Sequence, residues 1–402
     1  MKRSLVKNES GMVLLSVIGV VTILFITGIA ANHNVNSDIS SVVKHHSYVQ
    51  SLYIAEAGIA RAKAECVSRY IGGNWTSFTR LLKGNDNTEG TSDDGILSFG
   101  SSVAFHDGSY NVKIVNDSKD TGGAYIDTNN TIVIESIGAY NGSTTKLRVV
   151  IRMNKCPEVE GSISLLGEAD TSFSGNSFKI DGRDYRLSDG TTPTGPFPKY
   201  ALTSYDGSSK TGIIDSLSNE QRNNIIGLGY DVGTSPATPS VGVSSSFTPD
   251  DLKKYIETVK NIADNKLINP STLDGVVLGT TGSPKITYIM KTDSTAIKIT
   301  GNTSGVGILV IEGGNLEITL TGNMSWTGMI VVLGRSVGFK QTGSGKILGG
   351  LIVYEDNNPD TGKELEVGGD FEMKYSSEAI SLVNNMVTGK QKYTVVSWQK
   401  IG

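Results

Sequence analysis

The chain has 402 residues, enough for two or three domains with separate cores. Its formal net charge is −4, with both signs mixed along its length; without a basic cluster, nucleic acid is excluded as an expected partner. With 48 glycines but only 10 prolines, proline-rich disorder is excluded and many short strands joined by tight turns are expected.

Residues 1–11 read as a leader carrying Lys2, Arg3 and Lys7. Gly11 to Ala31 contains no charged residue. As a helix this run spans roughly 30 Å, the thickness of a bilayer's hydrocarbon core. No Lys or Arg follows until Lys44, a bias that keeps the N-terminus in the cytoplasm and exports the rest. The helical pattern runs on, so residues 12–71 are predicted as one helix. Beyond the apolar run, a stripe steps through Val35, Ile39, Val42, His46, Val49, Tyr53, Ala57, Ala60, Ala64 and Val67. It predicts the face that packs on a sheet. Gly72-Gly73 ends the helix.

A basic leader ending in Gly11, then Met12-Val-Leu-Leu15, then a helix closing on Tyr53-Ile-Ala-Glu-Ala-Gly-Ile-Ala-Arg61, form a recognisable set. Over about residues 1–65 it resembles the N-terminal segment of PilX-like minor pilins of type IV pilus systems. The resemblance implies cleavage between Gly11 and Met12 by a prepilin peptidase, and methylation of the new amine. Ser16 and Glu56, the latter in the AEAG motif, are the implied assembly residues. Main pilins carry a Glu where this chain has Ser16; that Glu neutralises a neighbour's terminal amine in the filament core. Ser16 lacks the carboxylate, as PilX-like minor pilins and the tip pseudopilin of type II secretion often do. The implied partners are other pilins, pilus assembly proteins, prepilin peptidase and membrane lipid. The implied location is the bacterial inner membrane, then the periplasm or an extracellular pilus.

Residues 72–156 are predicted as a pilin-like antiparallel sheet. Val103–His106 and Tyr110–Val115 flank Asp107-Gly108; Thr131–Ile137 and Thr145–Met153 flank a turn with Asn141-Gly142. Cys66, near the helix end, and Cys156, just past the last strand, are the only cysteines. A bridge between them is expected in an oxidising compartment, worth about 4 kcal/mol, against two free thiols as the alternative. Between helix and sheet, Gly84 to Gly95 is dense in Asp and Asn. Such a loop offers hard oxygens to Ca²⁺, but Ile96 stands where an EF-hand needs its bidentate Glu. A solvated loop is the expectation there and at Asp356 to Gly362, and no cofactor is expected beyond that candidate Ca²⁺.

Residues 157–402 read as a Gly-rich domain. Gly301, Gly322 and Gly343 are spaced by 21, as are Gly307, Gly328 and Gly349. Each of the latter precedes an apolar run, such as Ile308-Leu-Val-Ile311. A fixed period with one strand per repeat predicts a β-solenoid, a parallel β-helix, over about 270–375; a β-sandwich gives no reason for equal spacing. Val310, Val331 and Ile352 are expected to stack inward, and Ser174 to Gly182 to form an early rung. Thr248 followed by Pro249, Asp250 and Asp251 starts a predicted helix over 249–266 that caps an end of the stack. Tyr393 to Trp398 reads as a last strand. The fold class is therefore α+β: a long helix on a small sheet, then an all-β solenoid.

No HExxH or phosphate loop is present, and the repeats hold Thr, Gly, Asn and Ser rather than an acidic groove. His45 and His46 are adjacent, so a helix points them about 100° apart, which disfavours joint metal binding. The expectation is a structural protein, not an enzyme: a minor pilin-like component near a pilus tip that primes assembly or contacts surfaces. The alternatives are a type II secretion tip pseudopilin, and an uncleaved membrane-anchored solenoid with carbohydrate-directed activity.

Overall fold

The computed structural model describes residues 9–72, 77–154, 159–167, 169–193, 198–244, 248–293, 296–320, 322–341, 343–355 and 363–401. Most of the leader, Cys156 and the acidic loop 356–362 lie outside the described residues. The chain divides into two compact units, Met1–Arg152 with Val395–Gly402, and Met153–Thr394. It is α+β, with a long apolar N-terminal helix and mostly sheet thereafter.

The first unit is built on the helix Glu9–Gly72. Residues 13–46 are all exposed. From there one face is buried: Ser47, Ser51, Ala55, Gly58, Ile59, Ala62, Cys66 and Tyr70. Their steps of three and four define one side of a helix. The predicted stripe lies elsewhere on the helix: His46, Ala60 and Ala64 are exposed, Tyr53 is 58% exposed, and of that set only Val67 is buried. The reason is close backbone approach. A Cβ on Gly138 of the sheet would lie 2.1 Å from the Ser51 carbonyl oxygen and 2.4 Å from Ala55 N. Only small side chains fit at that contact, and the larger Ile54, Ile59 and Tyr70 are buried elsewhere along the same stretch. The Ser51 and Thr145 hydroxyls bond at 2.7 Å inside this interface, satisfying each other.

The sheet runs in the order Ser102–Phe105, Gly108–Asn116, Thr131–Tyr140, Ser143–Met153, Tyr393–Ile401. The first three pairings are antiparallel. Asn141 and Gly142 have φ of 44° and 76° between paired Tyr140 and Ser143, as a two-residue turn of type I′ requires. The other hairpin turns on His106-Asp107, one residue earlier than predicted, because Phe105 pairs with Gly108. The fifth strand is the tail, expected with the C-terminal domain but joined here to the sheet of the first unit from Val395 onward.

In the second unit every named strand pairing is parallel. One row runs Val241–Val243, Tyr200–Ser204, Gly161–Leu166, Lys346–Glu355, Ser325–Gln341, Ser304–Leu320, Lys285–Lys291, Asn265–Ile268. The far ends of the two 17-residue strands continue a second row with Ile297–Thr300, Leu365–Val367 and Thr171–Phe173. A third row holds Glu372–Tyr375, Lys179–Asp181 and Ile225–Ile226. Val310 pairs with Val331 and Val331 with Ile352, an offset of 21 residues each time. Gly307, Gly328 and Gly349 stack at the corner with φ of 126°, 123° and 140°. A Cβ on Gly328 would lie 2.1 Å from the Gly307 carbonyl oxygen, so nothing larger fits.

Both faces of the first row's central strands are buried. Leu309, Ile311, Ile330, Val332, Leu351 and Val353 join side chains from the other two rows in one core. The alternate residues Ile308, Val310, Met329, Val331 and Ile352 form a second core with the helices Pro249–Ile262 and Ser377–Lys390. Val310, Val331 and Ile352 are thus aligned and buried as expected, but they face the helices rather than the core shared by the three rows. The helix begun at Thr248 carries a capping box with Asp251. It ends at Ile262, and lies along the sheet face rather than closing an end of the stack. Of the predicted early rung, Lys179–Asp181 pairs with Glu372, Met373 and Lys374.

Candidate functional site

The element with the clearest functional character is the exposed part of the long helix. Its residues from Val13 to Ile29 leave Leu15 75% and Phe25 69% exposed. This segment is long and apolar enough to cross a membrane, and none of it is buried in the fold. Its hydroxyls are satisfied within the helix: Thr22 Oγ1 donates to the Ile18 carbonyl at 2.8 Å, and Thr27 Oγ1 to that of Ile23 at 3.0 Å. That removes the cost of polar groups in an apolar surrounding. Gly11 and Met12 lie in the first turns of this helix. Ser16 is exposed on it, and Glu56 is half-buried at the level of the sheet. The structure brings none of these four together; they lie in succession along one helix.

Cys66 is a free, fully buried thiol. Burial pushes its pKa far above the ordinary thiol value. Its expected partner Cys156 lies outside the described residues.

In the loop Gly84 to Gly95 the carboxylates are turned to the loop's own amides. Asp93 Oδ2 accepts from Asn85 N at 2.6 Å, and Asp94 Oδ2 from Gly90 N and Thr91 N at 2.8 and 3.0 Å. The Thr91 hydroxyl and the Asn85 and Asp86 amides hold the Asp93 carboxyl below its usual range. Asp94 also lines a cavity of about 550 Å³ with Lys113, Asn116, Asp117, Asp120 and Tyr125. Burial pushes the Asp120 carboxyl up, but bonds from Thr128 and Gly122 outweigh it and hold it low. Among the described residues no three His, Cys, Asp or Glu side chains are grouped to hold a metal ion.

Buried carboxyls of the second unit escaped the sequence reading. Asp181, fully buried, accepts from Arg183 Nε at 2.9 Å, Arg183 Nη2 at 2.6 Å and Tyr185 Oη at 2.7 Å. Burial raises the Asp181 pKa, and these bonds more than reverse it. Glu355 and Glu364 are buried as well, 1% and 2% exposed. For Glu355 the signal was in the repeat. Glu355 stands in register with Gly334, itself in register with Gly313, so the third repeat puts a carboxyl where the first two have glycine.

No family model matches the chain. No curated protein matches it either. A solved structure, the competence-associated pilin ComZ from Thermus thermophilus, is weakly similar: TM-score 0.28 at 13% identity, over 88% of this chain and 98% of that one.

Proposed function

We propose that the chain is a minor pilin-like structural protein of a type IV pilus, of the PilX-like kind. In this reading residues 12–31 hold it in the inner membrane with the N-terminus in the cytoplasm. Prepilin peptidase cuts after Gly11, the amine of Met12 is methylated, and the subunit enters the filament beside other pilins. The observation that carries the reading is the division of the long helix. Its uncharged part stands fully exposed, while its later part is sunk by a small-residue face into an antiparallel sheet. An apolar helix in that state needs lipid or neighbouring helices around it.

The second unit is proposed as a β-solenoid presented outside the cell for priming, adhesion or surface contact. Parallel pairing at a 21-residue offset supports this. The role is structural rather than enzymatic, and it invokes no cofactor. A tip position follows from Ser16, which has no carboxylate to offer the amine of a subunit above. Ser16 equally favours a second reading, the tip pseudopilin of type II secretion. Such proteins carry a mostly helical insert, whereas the second unit here is mostly strand.

Mass spectrometry of protein from a strain with active prepilin peptidase should find N-methyl-Met12 at the N-terminus; an intact leader there would end the pilin reading. Antibody to residues 157–402 should label filament ends, and uniform labelling of the shaft would end the tip placement.

A further inference from the structure

The strand Gly108–Asn116 leaves part of one edge to loops. Its pairing with Ser102–Phe105 ends at Asn111. Beyond that point the Val112 amide donates to the Ser101 carbonyl at 3.1 Å, and the Ile114 amide to the Gly95 carbonyl at 2.9 Å. Gly95, with φ of 68°, comes so near that a Cβ would lie 2.0 Å from the Ile114 carbonyl oxygen. The loop Gly84 to Gly95 is thus pressed onto the strand. This loop, the strand's end and the loop after it line the cavity of about 550 Å³. Small-ligand sites span roughly 300–1,000 Å³.

The polar walls are fixed by the loops' own hydrogen bonds. Asp94, 7% exposed, accepts from Gly90 N and Thr91 N. Asn116 Nδ2 donates to the Gly123 and Ile126 carbonyls at 2.6 and 2.9 Å. Asp120 accepts from Gly122 N, Thr128 N and Thr128 Oγ1. Asp117 accepts from Lys119 N at 2.8 Å and from Asn129 Nδ2 at 3.2 Å. A carboxylate has about four acceptor positions, so each of these retains lone pairs for a further donor.

Two lining groups are left over. Lys113 stands opposite Glu135 on the neighbouring strand, but Glu135 pairs with Lys146 at 2.9 Å and lies 3.9 Å from Arg148. Among the described residues the Lys113 ammonium therefore has no partner. Neither has the hydroxyl of half-buried Tyr125. Leu82, Ile114 and Val115 add apolar wall.

These groups select by charge. An anion would meet three carboxylates beside Lys113, and an organic cation would meet Lys113 beside the carboxylates. A metal ion finds no three carboxylates grouped to hold it among the described residues. A neutral polyol meets no such conflict. Its hydroxyls donate to carboxylates and accept from Lys113 and Tyr125, and its C–H face packs on an aromatic ring.

We propose that this cavity binds a neutral sugar ring, a hexose or an N-acetylhexosamine. Asp94 and Asp120 accept from its hydroxyls, Lys113 donates to them, and Tyr125 lies under its C–H face. A contact site for surface sugars then sits in the first unit rather than the second. It rests on the pilin reading only for its access to sugars outside the cell. Binding by the purified chain is independent of that reading, so the two fail separately.

The test is saturation-transfer NMR on the full chain in a sugar-free detergent. The probes are glucose, galactose and N-acetylglucosamine, with glucuronate and glucosamine as charged controls. At least one neutral sugar should bind with a Kd of roughly 1–10 mM, as a ligand of that size allows, and more tightly than either control. Tyr125→Ala and Lys113→Met should each weaken it about tenfold at unchanged Tm. Tyr205→Ala, which removes an exposed tyrosine of the second unit, should leave it unchanged. If Tyr125→Ala lowers Tm, Tyr125→Phe removes the hydroxyl alone and should still cost about threefold. No binding of any neutral probe at about 100 mM would overturn the proposal. So would tighter binding of glucuronate or glucosamine, or sugar binding that survives substitution at both Lys113 and Tyr125.

Discussion

The two units bury their strands in different ways. Ser143–Met153 in the first unit alternates strictly, with every second residue from Thr145 to Met153 buried and those between half-buried. Ile330, Val331 and Val332 in the second unit are consecutive, and none is more than 1% exposed. The first pattern belongs to a sheet with one face packed, the second to strands covered on both faces. Alternation states which way a side chain points. A continuous apolar run states only that the strand is buried. That is why Val331 was legible as core while its direction, toward the two helices, was not.

The largest test of this contrast is charge. Val331→Asp buries an unpaired carboxylate and should cost several kcal/mol, enough to unfold the second unit. Ile330→Asp, one residue earlier and on the opposite face, should do the same. In the first unit neighbours should differ: Val149→Asp should unfold it, whereas Thr144→Asp on an exposed position should stay within about 0.5 kcal/mol. Thermal melts followed by circular dichroism separate these outcomes. A tolerated Ile330→Asp would mean the second unit has one packed face after all.

Glycine provides a smaller test. Gly328→Ala forces a Cβ against the Gly307 backbone at positive φ and should destabilise the second unit by roughly 1–3 kcal/mol. Gly138→Ala pushes the long helix off the first sheet, with a cost of about 1–3 kcal/mol from overpacking. Each loss should fall in its own unit, read as local hydrogen exchange. Thr248→Ala should have the least effect. It removes the capping-box hydroxyl of Pro249–Ile262, an exposed contact worth about 1 kcal/mol. A much larger loss would show that this helix, and not only the strands, holds the two-faced burial together.

Local chemistry was the legible part of the fold. Asn141-Gly142 announced its turn, Thr248 its helix, and the glycines at 307, 328 and 349 their common corner. Tertiary choices were not legible. The helix face that meets the first sheet mixes Ser, Ala and Gly with Ile59, Cys66 and Tyr70, so a stripe chosen for apolar residues followed another side. The helix Ser377–Lys390 passed unread, although Ser376 caps it and Ile380, Val383 and Val387 share its buried side. The strand Tyr393–Ile401 was readable as a strand, but nothing local names its partner. In the candidate site, the basic leader and uncharged helix were plain in the residues. The buried Glu355 passed unread, although it stands where Gly313 and Gly334 stand in the earlier repeats.

The order of the strands also sets a timetable. Gly161–Leu166 leaves the ribosome early, yet the strand it lies beside, Lys346–Glu355, is made far later. The sheet of the first unit likewise waits for Tyr393–Ile401. Such pairings have high contact order, and closing their long loops is slow. Until they close, early strands travel with bare edges that invite pairing with other chains. In the first unit that hazard lasts until Tyr393–Ile401 takes its place in the sheet.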